Sequence, residues 1–127
     1  MRLPSDAALL VPDPGPADEA LVKAWSEEAL PLFPIAARGG DAFADADLDS
    51  RLDAIGATTL VFANGFSRDR LKATVLAAAA RGYRVFAVDS EAGDLGGEVR
   101  VVSVETAIEA ARRARFRQRW ALSRRGG

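Results

Sequence analysis

The chain has 127 residues, 49% of them hydrophobic, with a mean hydropathy near zero and a formal net charge of −1, which describes one soluble globular domain with room for a single core. Neither cysteine nor histidine occurs, so disulfides, Cys/His zinc sites, cysteine nucleophiles, imidazole bases and Ser-His-Asp triads are excluded together. No window approaches the roughly 18–20 apolar residues of a membrane-spanning helix, and the opening "MRLPSDAALLVPDP" is too short and too broken by proline for a signal peptide; a cytoplasmic location is expected.

In chain order, "AALLVP" (7–12) is a short apolar run stopped by "PDPGP", the pattern of a buried strand and a turn. The segment 17–30 places Leu21, Ala24, Trp25, Glu28 and Ala29 at near-helical spacing behind Asp18 and Glu19, where the helix dipole favours anions; it predicts a helix ended by Pro31. "LFPIAA" (32–37) is a short strand weakened by Pro34, and "RGGDAFADAD" a loop. "LDSRLDAIG" (48–56) turns Leu48, Leu52 and Ile55 to one side and stops at Gly56, a short helix with a glycine cap. Strand "TTLVFAN" (58–64) follows, then a polar loop, an alanine-rich helix from about Arg68 to Arg81 closed by Gly82, strand 83–89, a loop, strand 99–104, and a helix from Thr106 with Ile108, Ala111 and Ala114 facing inward.

Strands alternating with helices predict a small three-layer α/β/α domain with a mostly parallel sheet of about four or five strands. In such sheets ligands bind beyond the carboxyl ends of the strands, which directs attention to Asp13, to 64–70 and to 89–93. The near-neutral net charge is unevenly distributed. Residues 1–104 carry ten Lys/Arg against sixteen Asp/Glu, whereas residues 105–127 carry seven Arg against two Glu. The chain therefore divides into an acidic body, 1–104, and a basic C-terminal helix or tail, 105–127, a pattern that points to a partner for the tail.

Three stretches resemble the isochorismatase-like hydrolases, a superfamily that includes nicotinamidases and N-carbamoyl amidohydrolases. "AALLVPDP" is similar to the strand ending in that family's catalytic aspartate. "RGGDAFADADLDSRLDAIGATTLVFANG" is similar to the segment from the catalytic lysine to the strand before the nucleophile loop. "LKATVLAAAARGYRVFAVDS" is similar to the helix and strand behind the nucleophile. The resemblance spans most of residues 6–104 and implies an isochorismatase-like (Rossmann-like) topology. It also implies an Asp-Lys-Cys triad at Asp13, Ala37 and Arg70, of which only the aspartate is present. Arg38 stands beside the vacated lysine position. Only 24 positions separate Asp13 from Ala37, where the family inserts a further helix and strand, and the helix between its last two strands is replaced by "SEAGDLGGEV". A cut of that size removes pocket walls as well as catalysts. The expectation is a pseudoenzyme, without cofactor or metal, that works as an accessory subunit in a homo- or hetero-oligomer.

Individual residues carry competing readings. Asp13 is a general base or metal ligand, or a turn carboxylate satisfied by backbone N–H groups. Arg70 beside a helix N-terminus is an anion binder, or an arginine that is solvent-facing or paired with Asp69; the latter is expected, because cations are disfavoured at that end. Ser67 has only Lys72 to activate it. "DADLD" (45–49) suggests a divalent cation, but Asp47 is more economically the N-cap of the following helix. Asp13, Ser67 and Arg70 thus form a weak ligand-binding set. In the tail, Arg112, Arg113, Arg115, Arg117 and Arg119 interleave with Phe116 and Trp120, which are four apart on one helix face. This suits a protein-docking helix with aromatic anchors and an arginine rim; nucleic acid, held through phosphate contacts and stacking, is the alternative partner. A residual hydrolase or small-molecule binder around Asp13 is the third reading.

Overall fold

A computed structural model describes residues 3, 7–13, 18–45, 47–88 and 99–114. Five strands, β1 (Ala8–Asp13), β2 (Leu32–Ala36), β3 (Thr59–Phe62), β4 (Arg84–Val88) and β5 (Val99–Val102), form one sheet in the order β2-β1-β3-β4-β5, and every pairing is parallel. The central strands read as unbroken apolar runs because helices cover both of their faces, so neither parity of the strand meets water; all four residues of β3 are buried. Helix α1 (Glu19–Glu27) and helix α5 (104–114) pack on one face, where Leu21, Trp25, Ala107 and Ala111 meet Leu9, Val61 and Phe86. The short helices α2 (Ala42–Asp45) and α3 (Leu48–Asp53) and the longer α4 (Arg68–Ala80) cover the other, where Phe43, Leu48, Leu52 and Val75 meet Leu10, Leu60 and Phe62.

Pro34 proves compatible with a strand because β2 is an edge. Leu9 N–H donates to Pro31 C=O at 3.0 Å, so odd-numbered residues of β2 face β1 and Pro34 turns its missing N–H outward, where no ladder bond is lost. It also denies that edge one donor for pairing with another chain.

Three local expectations are corrected. The loop before α3 contains α2, a single turn whose Ala42 N–H is held by the Thr74 hydroxyl at 3.0 Å. Ile55 is 39% exposed rather than inward, because the last turn of α3 tightens: Ile55, Gly56 and Ala57 N–H groups all return to Leu52 or Asp53 carbonyls, and Gly56 takes a positive φ of 67°. Helix α1 ends at Glu27, before Pro31. Ala29 adopts φ 55° and donates to Ser26 C=O, while Leu30 donates to Trp25 C=O, a Schellman closure with alanine where glycine is usual.

Candidate functional site

In sheet order the chain reverses direction between β1 and β3, so the crevice beyond their carboxyl ends is where this architecture receives ligands. The loops leaving β1 and β3 are tied across it, since Asp18 N–H donates to Asn64 Oδ1 at 3.2 Å. Asp18 in turn caps α1, its Oδ1 accepting from Leu21 N–H at 3.1 Å. Asp13 ends β1 opposite Ala36 of β2 and is exposed.

The loops leaving β2 and β3 also meet, passing over the end of the intervening β1. Ser67 N–H donates to Ala37 C=O at 2.8 Å. The Ser67 hydroxyl is the N-cap of α4 and accepts from Arg70 N–H at 3.3 Å, while Lys72 lies exposed along the helix. The serine thus serves as a cap, and this geometry gives it no link to Lys72.

Arg70 departs furthest from expectation. It is 1% exposed, among the largest fully buried side chains, neither solvent-facing nor an Asp69 partner at the surface. Its Nε donates to Ala36 C=O at 2.9 Å and its Nη1 to Gly40 C=O at 2.8 Å. These two carbonyls bracket the turn 37–39, and a planar guanidinium can reach both at once. The physical reason is position: Arg70, Thr74 and Ala78 recur every fourth residue on the buried side of α4, and a guanidinium buried there needs acceptors, which the Ala36 and Gly40 carbonyls supply. That spacing was the signal available in the sequence.

Ala37, Arg38, Gly39, Gly65, Phe66, Ser67 and Asp69 line an open cleft of about 530 Å³ above the clamped turn. Of the residues matched to the triad, Ala37 thus lies on its wall, Arg70 lies buried with its guanidinium on the carbonyls of the 37–39 turn, and Asp13 ends the strand between the two loops. Among the described residues no group of three or more Asp or Glu is close enough to hold a metal ion. Asp47 precedes α3 with a left-handed φ of 50° and no side-chain bond to the helix backbone; its carboxylate accepts from the Ser50 hydroxyl at 3.2 Å. The expected side-chain cap is therefore replaced by a surface contact.

A second cluster lies at the opposite end of α4. Tyr83 stacks on Phe43 with ring centroids 5.9 Å apart, Arg81 covers the same Phe43 at 4.4 Å, and Arg81 Nε meets Asp49 at 2.9 Å. Burial raises the Tyr83 hydroxyl above its ordinary pKa of 10.0, and the carboxylates of Asp53 and Asp49 push it the same way against the opposing influence of Arg81.

In the basic segment, α5 buries Ala107, Ala110, Ala111 and Ala114 and exposes Arg112 and Arg113. Ile108 is only partly buried at the margin of this stripe. Arg115, Phe116, Arg117, Arg119 and Trp120 lie outside the described residues, as do 89–93. Among the described residues no helix is long and apolar enough to cross a membrane. Neither a protein-family model, a curated protein nor a solved structure matches the chain.

Proposed function

We propose that this chain is a degenerate isochorismatase-like domain that no longer carries out cysteine hydrolysis and serves as a subunit in cytoplasmic protein assembly. The observation that carries the reading is the state of Arg70. At the position matched to the nucleophile stands a buried guanidinium engaged by Ala36 and Gly40 carbonyls, a group that braces a loop and offers no nucleophilic atom. The sheet order supports the same reading, because β2-β1-β3-β4-β5 is the doubly wound order with one strand fewer on the β2 side than the six-stranded form. That is the side on which the short interval between Asp13 and Ala37 removes a helix and strand.

Assembly runs through the C-terminal segment in this reading, with Phe116 and Trp120 as anchors. The full-length tagged protein, purified from its own cells with nuclease present, is expected to carry a protein partner or a second copy at fixed stoichiometry. Trp120→Ala is expected to weaken that complex by about 2 kcal/mol. An unchanged dissociation constant for Trp120→Ala removes the docking role.

The exposure of Arg112 and Arg113 on α5 favours nucleic acid as the second reading. It predicts binding that falls steeply with salt and little with sequence, and loss of the bound material on nuclease treatment.

A further inference from the structure

We propose that the cleft between the β2 and β3 loops binds a small zwitterion of the amino-acid class, with its carboxylate on Arg38, its ammonium on Asp69 and its apolar part against Phe66. Among the described residues, none of 105–114 lines this cleft, and the proposal does not rest on the assembly reading.

The first argument is construction. The walls are pinned from beneath: Arg70 holds both ends of the 37–39 turn, Ser67 N–H holds Ala37 C=O, and Phe66 packs edge-on against the buried Phe62 ring at 6.2 Å. Arg38 therefore projects from a braced turn, and a braced site spends little binding energy on ordering itself. The volume, about 530 Å³, lies within the range of small-molecule sites.

The second argument is charge. Arg38 and Asp69 line the same cleft and are both exposed, yet among the described residues neither forms an ion pair. A dianion would meet Arg38 but be repelled by Asp69, and a simple amine would meet the reverse. A molecule carrying one charge of each sign satisfies both, and the half-buried Phe66 ring offers its side chain an apolar surface.

The test is amide-resolved NMR titration of the full chain with L-phenylalanine and L-leucine. Saturable shifts are expected at 37–39 and 65–69. Phenylalanine amide, which lacks the carboxylate, and N-acetylphenylalanine, which lacks the ammonium, are each expected to bind roughly tenfold more weakly. Arg38→Gln should cost the zwitterion the same factor but leave binding of the amide unchanged, and Asp69→Asn should do likewise for the N-acetyl compound. Both residues are exposed, so an unaltered amide spectrum elsewhere verifies the fold of each variant. Absence of saturable shifts with either amino acid, shifts centred elsewhere, or equal binding of all three phenylalanine compounds overturns the proposal. None of these outcomes touches the Trp120→Ala result, so the two readings fail separately.

Discussion

The two faces of the sheet are closed by different means. On one side α1 and α5 are continuous helices that satisfy their own backbones and present mainly hydrocarbon: Leu21, Ala24 and Trp25 from the first, Ala107, Ala110, Ala111 and Ala114 from the second, with the Trp25 Nε1 donating to Ala7 C=O at 3.2 Å as a polar addition. On the other, the crossover from β2 to β3 is broken into a four-residue and a six-residue helix. Such short pieces leave most of their N–H and C=O groups without helical partners, and α4 supplies what is missing. Arg70 and Thr74 are buried at 1% and 0% exposure to serve Ala36, Gly40 and Ala42. Where a layer is continuous, burial of apolar area does most of the closing; where it is fragmented, buried polar side chains take a larger share in completing the backbone.

Removing Arg70 tests this difference most severely. Arg70→Ala removes both donors from the 37–39 turn and opens a cavity where a fully buried side chain stood, with an expected loss of about 3 kcal/mol in urea unfolding. Arg70→Lys keeps the charge but replaces a planar fork by one ammonium, so it should recover less than half of that loss. Full recovery by lysine would mean that charge, and not bidentate bracing, is what the turn needs.

Thr74→Val and Leu21→Met compare near-isosteric changes on the two faces. The first removes the acceptor for the buried Ala42 N–H and is expected to cost about 1–2 kcal/mol. The second keeps volume and apolarity on a face that relies on them, and is expected to cost less than about 1 kcal/mol. Equal costs would erase the distinction drawn between the faces.

The same contrast explains which parts were legible beforehand. β1, β3 and β4 announce themselves as apolar runs because parallel strands buried on both faces contain little else, and α4 through its alanine content and Gly82. Helix α2 is too short to show a period, and its existence depends on Thr74, 32 residues from Ala42. The orientation of Arg70 was masked by its identity: arginine beside a helix N-terminus reads as a surface residue, although its spacing to Thr74 and Ala78 puts it inside. The carbonyls that receive the guanidinium lie at the last residue of an edge strand and in the loop after it, where no sequence period marks them. The cleft was legible only as a place, the carboxyl end of the sheet. Opposite charges at Arg38 and Asp69 come together there through the Ser67–Ala37 bond, a tertiary contact.

Arg81, the C-cap of α4, provides the exposed counterpart to Arg70 in its first turn. Its pairing with Asp49 involves side chains 37% and 47% exposed, where solvent and salt screen the attraction. Arg81→Ala is expected to cost below about 1 kcal/mol, most of it from the lost stack on Phe43. The variant also removes the Arg81 charge that holds the Tyr83 pKa down, so that pKa should rise further. Because the folded-state value lies above the unfolded one, Tyr83 contributes stability that is fully present below the unfolded pKa and is lost as the pH climbs through the folded pKa. Tyr83→Phe should flatten that alkaline decline; a decline of unchanged slope would assign it to other groups.

The smallest effect concerns how the helices of the two faces end. Helices α1 and α4 close with the same pair of backbone bonds, Leu30 to Trp25 and Ala29 to Ser26 in one, Tyr83 to Ala78 and Gly82 to Ala79 in the other. The pivot is Gly82 at φ 88° in α4 but Ala29 at φ 55° in α1. A Cβ makes the left-handed conformation unfavourable by roughly 1–2 kcal/mol, whereas glycine adopts it freely but brings a more disordered unfolded chain. The balance favours Ala29→Gly by about 0.5 kcal/mol, read as a small rise in the urea midpoint with an unchanged slope. Gly82→Ala should shift the midpoint the other way. If both substitutions destabilise, Ala29 is held by contacts of its methyl group that outweigh its backbone strain, and the continuous face then depends at its helix end on a specific side chain just as the fragmented face does.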